Sequence, residues 1–422
     1  MIQEIKNEIL GESYFSIQHA TGLTVLVYPK KGYATTYGII GTNYGSIDNL
    51  LSGKTIPNGT AHFLEHKLFE SEELDAFDRF AVTGASANAY TSFDRTCYLF
   101  SCADHAMENL QILLDFVRHP YFTEQTVRKE QGIIGQEIRM YLDEPGWRVL
   151  FNLLECLYHN HPVKIDIAGT EDSIAQISAD LLYQCYEQYY NPENMVLAVV
   201  GDVTVETVLS VCDSVLGTAP TKGGPNRRPA FNEPGSIVRP YAEQEFAVTM
   251  PSFALGFKEP AGPELPSLKE RILTGLLLDY LAGETSPLYN RLLAEGLING
   301  SFGYEYFVGP GYRTVLFSGM SRYPQQVADA IKAEIERLRK EGLKEDEFQI
   351  LRKMNYGRSV MDYNETDGLA NELISAYLEG YRLFDELEVY RTVTKEDAEE
   401  RLQKILREDT SALSVILPKK DG

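Results

Sequence analysis

The segment Asn58-Gly59-Thr60-Ala61-His62-Phe63-Leu64-Glu65-His66-Lys67-Leu68-Phe69-Glu70 carries two histidines and a carboxylate at helical spacing. As a helix it sets His62 and His66 one turn apart on one face, with Glu65 about 60° around the axis from His62. Neutral imidazoles are good zinc ligands, and a catalytic zinc takes three protein ligands and keeps one position open. His62 and His66 would supply two of the three. Zinc lowers the pKa of its water towards neutrality, and a nearby carboxylate can take the proton as that water attacks a peptide carbonyl. Glu65 stands where such a base is needed. The order H-x-x-E-H reverses the common H-E-x-x-H zinc motif. With 7 histidines in 422 residues, the pattern seldom arises by chance. An amphipathic helix with histidines at its polar edge is the plain structural alternative.

The surrounding sequence supplies a mount for this helix. Strand-like runs at 23–28 and 35–42 lead into turn residues at 43–48 and at Pro57-Asn58-Gly59, so the motif follows a loop directly. A helix holds ligands more firmly than a loop does. Beyond it lie a short helical stretch at 74–82, the small polar run 84–92 and an alternating strand at 96–102. A small-residue strand beside a metal helix could accept a peptide by edge addition. Helices are expected at 106–118 and 123–142, and the second carries Glu130 and Glu137 seven residues apart on one face. Either could reach a metal. His159 and His161 lie at a turn with no adjacent carboxylate or thiolate, a poor setting for a second metal. A buried-strand run at 195–200 and a helix at 205–216 close the first half.

At 422 residues with 44% apolar content, the chain can fill two or three cores. The first residues lack a signal-peptide pattern, and no apolar segment approaches membrane-spanning length, so a cytoplasmic protein is expected. The five cysteines form no C-x-x-C pair and read as buried reduced thiols. A net charge of −22 argues against nucleic acid and anionic membrane as partners.

Residues 218–245 are rich in Pro, Gly and Asn and read as a linker. All seven histidines precede them. The second half repeats the first in order: Leu343-Lys344-Glu345-Asp346-Glu347-Phe348 opens a long helix as Phe122-Thr123-Glu124-Gln125-Thr126-Val127 does, and helix 395–407 with strand 411–417 echoes 181–190 with 195–200. On this register Glu130 and Glu137 correspond to Leu351 and Arg358. The expected fold class is α+β, two similar domains each with a mainly antiparallel sheet packed against helices. The division is 1–217 with the metal chemistry, 218–245 as linker, and 246–422 without a metal.

Taken together, Gly59-Thr60-Ala61-His62-Phe63-Leu64-Glu65-His66, Asn88-Ala89-Tyr90-Thr91, the Glu130 and Glu137 pair and the Asn160-His161-Pro162 loop resemble the pitrilysin (insulinase-like) family of inverted-motif zinc peptidases, which includes the mitochondrial processing peptidase. The resemblance spans nearly the whole chain and is nearest to the smaller bacterial members. It implies Zn2+ held by His62, His66 and Glu137, with Glu130 as the supporting partner and Glu65 as the base. It also implies that Asn88 and Ala89 lie on an edge strand where peptide docks, and that half-shells enclose a chamber for short or unfolded peptides.

Active members carry an arginine and a tyrosine seven residues apart in the second domain. The register here puts Leu293 at the first position and Ile298 or Asn299 at the second, while Arg291 and Tyr304 have the wrong spacing. The resemblance therefore implies a homodimer or a heterodimer with a zinc-less homologue that supplies the pair. The expected function is a zinc metalloendopeptidase; the alternative is a non-catalytic zinc-binding or scaffold subunit.

Overall fold

The computed structural model describes residues 2–72, 74–221, 223–262 and 264–419. A seven-stranded sheet is built from β1 (Ile2–Asn7), β2 (Glu12–Gln18), β3 (Thr24–Pro29), β4 (Thr36–Thr42), β7 (Ser86–Thr91), β8 (Thr96–Cys102) and β9 (Met195–Gly201), in the order β1-β2-β3-β9-β4-β8-β7. A two-stranded ribbon, β5 (Leu50–Leu51) and β6 (Lys54–Thr55), precedes the motif helix. A five-stranded sheet follows, with β10 (Tyr241–Phe246), β11 (Ser252–Lys258), β12 (Gly303–Gly309), β13 (Tyr312–Met320) and β14 (Ser411–Pro418) ordered β10-β14-β11-β13-β12. In each sheet one pair is parallel, β3 with β9 and β10 with β14, and the other pairs are antiparallel. The run β3-β9-β4-β8-β7 thus has the same order and sense as β10-β14-β11-β13-β12. This is the internal repeat, now visible as topology: a two-fold α+β architecture with helices packed on mainly antiparallel sheets.

The helices of the first half include α1 (Thr60–Leu68), α2 (Ala76–Thr83), α3 (Ala106–Arg118), α4 (Glu124–Leu142) and α5 (Pro145–Leu157). Strand β9 is buried at every position, with no polar alternation, because its sheet is covered on both faces. The α3 helix packs on β4 and β8, and the helix Thr366–Glu379 packs on β4 and β9. In the second sheet α5 packs on β10, β11 and β14. Both α5 and Thr366–Glu379 follow the long helix of their own half, so they are equivalent by order, yet each covers the sheet of the other half.

The compact units interleave for this reason. The first comprises Met1–Ile138, Asp166–Arg228 and Met361–Asp385, and the second comprises Arg139–Ile165, Pro229–Val360 and Glu386–Gly422. Residues 218–240 run between the strands of the two sheets, whereas 241–245 already form most of β10, and a division at 218–245 does not separate the packed bodies. An apolar helix face goes where a sheet face is open, whatever its place in the chain.

Within 218–245, Arg228 belongs to the first unit and forks onto the buried Asp48 carboxylate at 2.9 and 2.8 Å. Glu233 belongs to the second unit, where its carboxylate accepts from the backbone N–H groups of His159, Asn160 and His161 and from Lys258. All five cysteines are free and buried. Among the described residues no helix is long and apolar enough to cross a membrane.

Candidate metal centre

Helix α1 starts at Gly59, whose φ of 86° is left-handed and where an added Cβ would meet the Ala168 carbonyl oxygen at 2.3 Å. Glycine is required on both counts. The entry loop is pinned by the Thr60 hydroxyl on the Pro57 carbonyl at 2.6 Å and the Ser173 hydroxyl on the Asn58 carbonyl at 2.8 Å. Phe63 and Leu64 are fully buried, which fixes the rotation of the helix about its axis. His62 and His66 then present neighbouring rings, with centroids 4.6 Å apart. Lys67, also fully buried, is paired with Glu70 one turn on.

Glu130 and Glu137 project from the same face of α4. Glu137 lies with Oε1 3.7 Å from His62 Nε2 and Oε2 3.5 Å from His66 Nε2. These separations are too long for hydrogen bonds. Two ligands about 2.0–2.1 Å from one tetrahedral ion would stand about 3.4 Å apart, so the donor set suits a shared zinc. One ligand atom from each of His62, His66 and Glu137 lies within 4.8 Å of the others. Glu130 Oε1 meets the other nitrogen of His66, Nδ1, at 3.0 Å, the kind of outer contact that sets the tautomer and aim of a ligating imidazole. His62 has no such support: its buried Nδ1 meets no partner among the described residues.

Burial, and then the neighbouring His66, push the His62 pKa down to about 4, keeping the ring in the neutral form that ligates. For His66 burial also opposes the charged form, but the hydrogen bond to Glu130 and the charges of Glu65, Glu137 and Glu130 outweigh it and raise the pKa. Glu65 is 9% exposed. Burial raises its pKa, against the opposing hydrogen bond from Thr91 and the charge of His66. The Thr91 hydroxyl donates to Glu65 Oε2 at 2.6 Å.

Strand β7 forms the sheet edge and, among the described residues, is paired only to β8. Asn88 is exposed and Ala89 half-buried, and the Ala89 N–H turns onto Asn88 Oδ1 at 2.9 Å. The one group in this region that the sequence reading did not assign is Thr91. Strand parity could have indicated it, since Thr91 shares its face with Ala89 and opposes Asn88 and Tyr90.

In the second unit, Leu293 is exposed on the helix Pro287–Ala294, Ile298 is buried, Arg291 is exposed, and the Tyr304 hydroxyl donates to Asp279 at 2.6 Å. His161 is closed off as a metal ligand: Nδ1 accepts from the Val163 N–H at 3.0 Å and Nε2 bonds the Pro310 carbonyl at 2.8 Å.

Two family descriptions match the chain, "Insulinase (Peptidase family M16)" over residues 54–171 and "Peptidase M16 inactive domain" over 176–355. A Bacillus subtilis (strain 168) protein named uncharacterized zinc protease YmfH is 39% identical, over 99% of this chain and 100% of its own length. The chain belongs to peptidase family M16, the insulinase family. Among solved M16 structures, the M16-like protein of Alicyclobacillus acidocaldarius superimposes with a TM-score of 0.93 at 34% identity, covering 98% of this chain and 100% of the other. A Helicobacter pylori protease shares the M16 fold at 19% identity, with a TM-score of 0.85 over 96% of this chain and 100% of its own.

Proposed function

We propose that this M16 chain is a zinc metalloendopeptidase acting on short or unfolded peptides, with His62, His66 and Glu137 as ligands and Glu65 as general base. The observation that supports it most is the convergence of two imidazole Nε2 atoms and a carboxylate at 3.5–3.7 Å beside a buried glutamate. A zinc ion there would supply the Lewis acidity that makes water a usable nucleophile near neutral pH. Glu65 accepts the proton that the water loses as it attacks, then delivers it to the departing amine. Edge strand β7, through Asn88 and Ala89, pairs with the peptide backbone and selects for extended chain more than for side chains. Glu130 keeps His66 aimed.

The arginine and tyrosine of active relatives come, on this reading, from a second molecule, either another copy or a zinc-less homologue. A cytoplasmic location completes the proposal. The test is metal analysis with peptide cleavage for wild type and Glu65→Gln, each alone and with a partner homologue. Zinc retained with cleavage down about 100- to 10,000-fold supports the reading. Unchanged cleavage in Glu65→Gln sinks it.

A further inference from the structure

The general base and the sheet edge are joined by one hydrogen bond that the metal centre does not need. Thr91 closes β7 directly opposite Thr96 of β8. Its hydroxyl carries a single proton, and the carboxylate of Glu65 can only accept, so the 2.6 Å contact commits that proton to Oε2. The Thr96 hydroxyl is 2.9 Å from the Tyr44 carbonyl and 3.4 Å from the Thr91 oxygen. Its own proton goes to the shorter contact, and it stands behind Thr91 without competing for Glu65.

Strand β7 is itself held at this end. The hydroxyl of Tyr90 donates to Asn371 at 3.1 Å. Arg95, just across the hairpin, bonds Ser375 at 2.9 Å and pairs with Glu379 at 2.9 Å, both on the helix Thr366–Glu379. Glu65 lies within α1 beside His66, and its carboxylate stands on a flexible two-carbon stem that the hydrogen bond from Thr91 holds at one oxygen. A buried carboxylate with one oxygen tied keeps the other for the reacting water.

We infer that Thr91 is a positioning residue for Glu65, fastening the base to the peptide-docking edge so that strand and base keep one register. This rests on the reading of Glu65 as the base. The strand that would receive the peptide backbone and the group that would take the proton then move as one body, and misplacement of about 1 Å costs about 100-fold in rate.

The experiment compares Thr91→Val, which keeps the branched shape and loses the hydroxyl, with Thr91→Ser, which keeps the hydroxyl. Both are made in the full chain and loaded with zinc. Thr91→Val is expected to hold wild-type zinc stoichiometry and a KM within about two-fold, with kcat down about 10- to 100-fold. Thr91→Ser is expected to recover kcat to within about three-fold. In crystals of the loaded variants, Glu65 keeps one rotamer in Thr91→Ser and loses it in Thr91→Val. A Thr91→Val chain with wild-type kcat and an ordered Glu65 overturns the inference. So does a Thr91→Ser chain as slow as Thr91→Val, or loss of zinc in step with loss of activity, which would make Thr91 a support of the metal. If the wild type cleaves nothing even with the partner homologue present, the peptidase reading falls by itself, and the Glu65 rotamers in the two crystals still decide for or against Thr91.

Discussion

In the first unit, α1, edge strand β7 and α4 meet around His62, His66, Glu65, Glu130 and Glu137. In the second, the elements at the same places in the topology are the helix Leu268–Ala282, edge strand β12 and the helix Glu345–Asp362. They meet at Asp279, whose two oxygens accept from the Tyr304 hydroxyl and the Asn355 amide at 2.6 Å each. The polar groups of the second cluster satisfy one another. In the first, Glu137 stands 3.7 and 3.5 Å from His62 and His66, spacings that would suit an ion between them. At the register positions of Glu130 and Glu137 stand Leu351, buried in the apolar core, and Arg358, exposed. The same backbone frame therefore carries either a candidate metal cluster or a closed hydrogen-bond knot, and a handful of side chains decides which.

The sharpest way to break that contrast is Glu137→Gln. An amide offers a weaker, neutral oxygen in place of a carboxylate, leaving two histidines to hold a divalent ion. Bound zinc is expected to fall from near one per chain to a small fraction, and cleavage by about a thousand-fold or more. Metal analysis after gel filtration with peptide turnover checks both. Full zinc retention in Glu137→Gln would mean that another group completes the set, and the assignment of Glu137 would be wrong.

The histidines offer a second contrast. His62 and His66 turn their Nε2 atoms toward Glu137, where they could hold a metal, whereas His161 in the second unit spends both nitrogens on backbone partners. Burial pushes the His161 pKa down to about 4, the Pro310 carbonyl only partly opposing it. The unfolded chain takes up a proton near the ordinary value of about 6.5 while the folded chain resists until about 4. Below pH 6.5 the unfolded state binds more protons, so the stability of this unit falls as pH drops from about 6.5 to about 4 and levels off beneath. The contribution is on the order of 3 kcal/mol. Urea unfolding at pH 7 and pH 4.5, wild type against His161→Gln, isolates it; equal pH slopes in the two chains would show that His161 is not held neutral.

Much of the first cluster was legible because its members lie close in sequence or on one helix face. The spacing of His62, Glu65 and His66 needs only a helix, and Glu130 and Glu137 need only two turns of another. The repeat was legible in the openings of α4 and of the helix Glu345–Asp362. The exchange of α5 and Thr366–Glu379 was not, because either apolar face suits either sheet and only the packed structure chooses. The Pro, Gly and Asn content of 218–245 suggests a connection and gives no sign that 241–245 lie in β10. It could not reveal that Arg228 forks onto Asp48, 180 residues away, or that Glu233 fills the ring of N–H groups at His159–His161. Thr91 required knowing that β7 passes beside α1, a contact of strand and helix that no local period encodes.

The smallest effect expected is at Asp279, and it tests the claim that the second cluster is structural. Asp279→Asn keeps the shape and one acceptor oxygen but sets an NH2 group against one of the two donors. The Tyr304 hydroxyl can turn to accept, whereas Asn355 must flip or lose its bond. Exchanging charge-assisted bonds for neutral ones costs about 1–2 kcal/mol, read as a lower urea midpoint. Zinc stoichiometry and kcat/KM per zinc should stay at wild-type values. The change also loosens the hydroxyl of Tyr304, which follows shortly after the positions that the register sets against the tyrosine of active relatives. If turnover shifted while stability held, Tyr304 would have to be counted among the groups that serve the reaction, and the second cluster could no longer be read as a knot that merely closes its own unit.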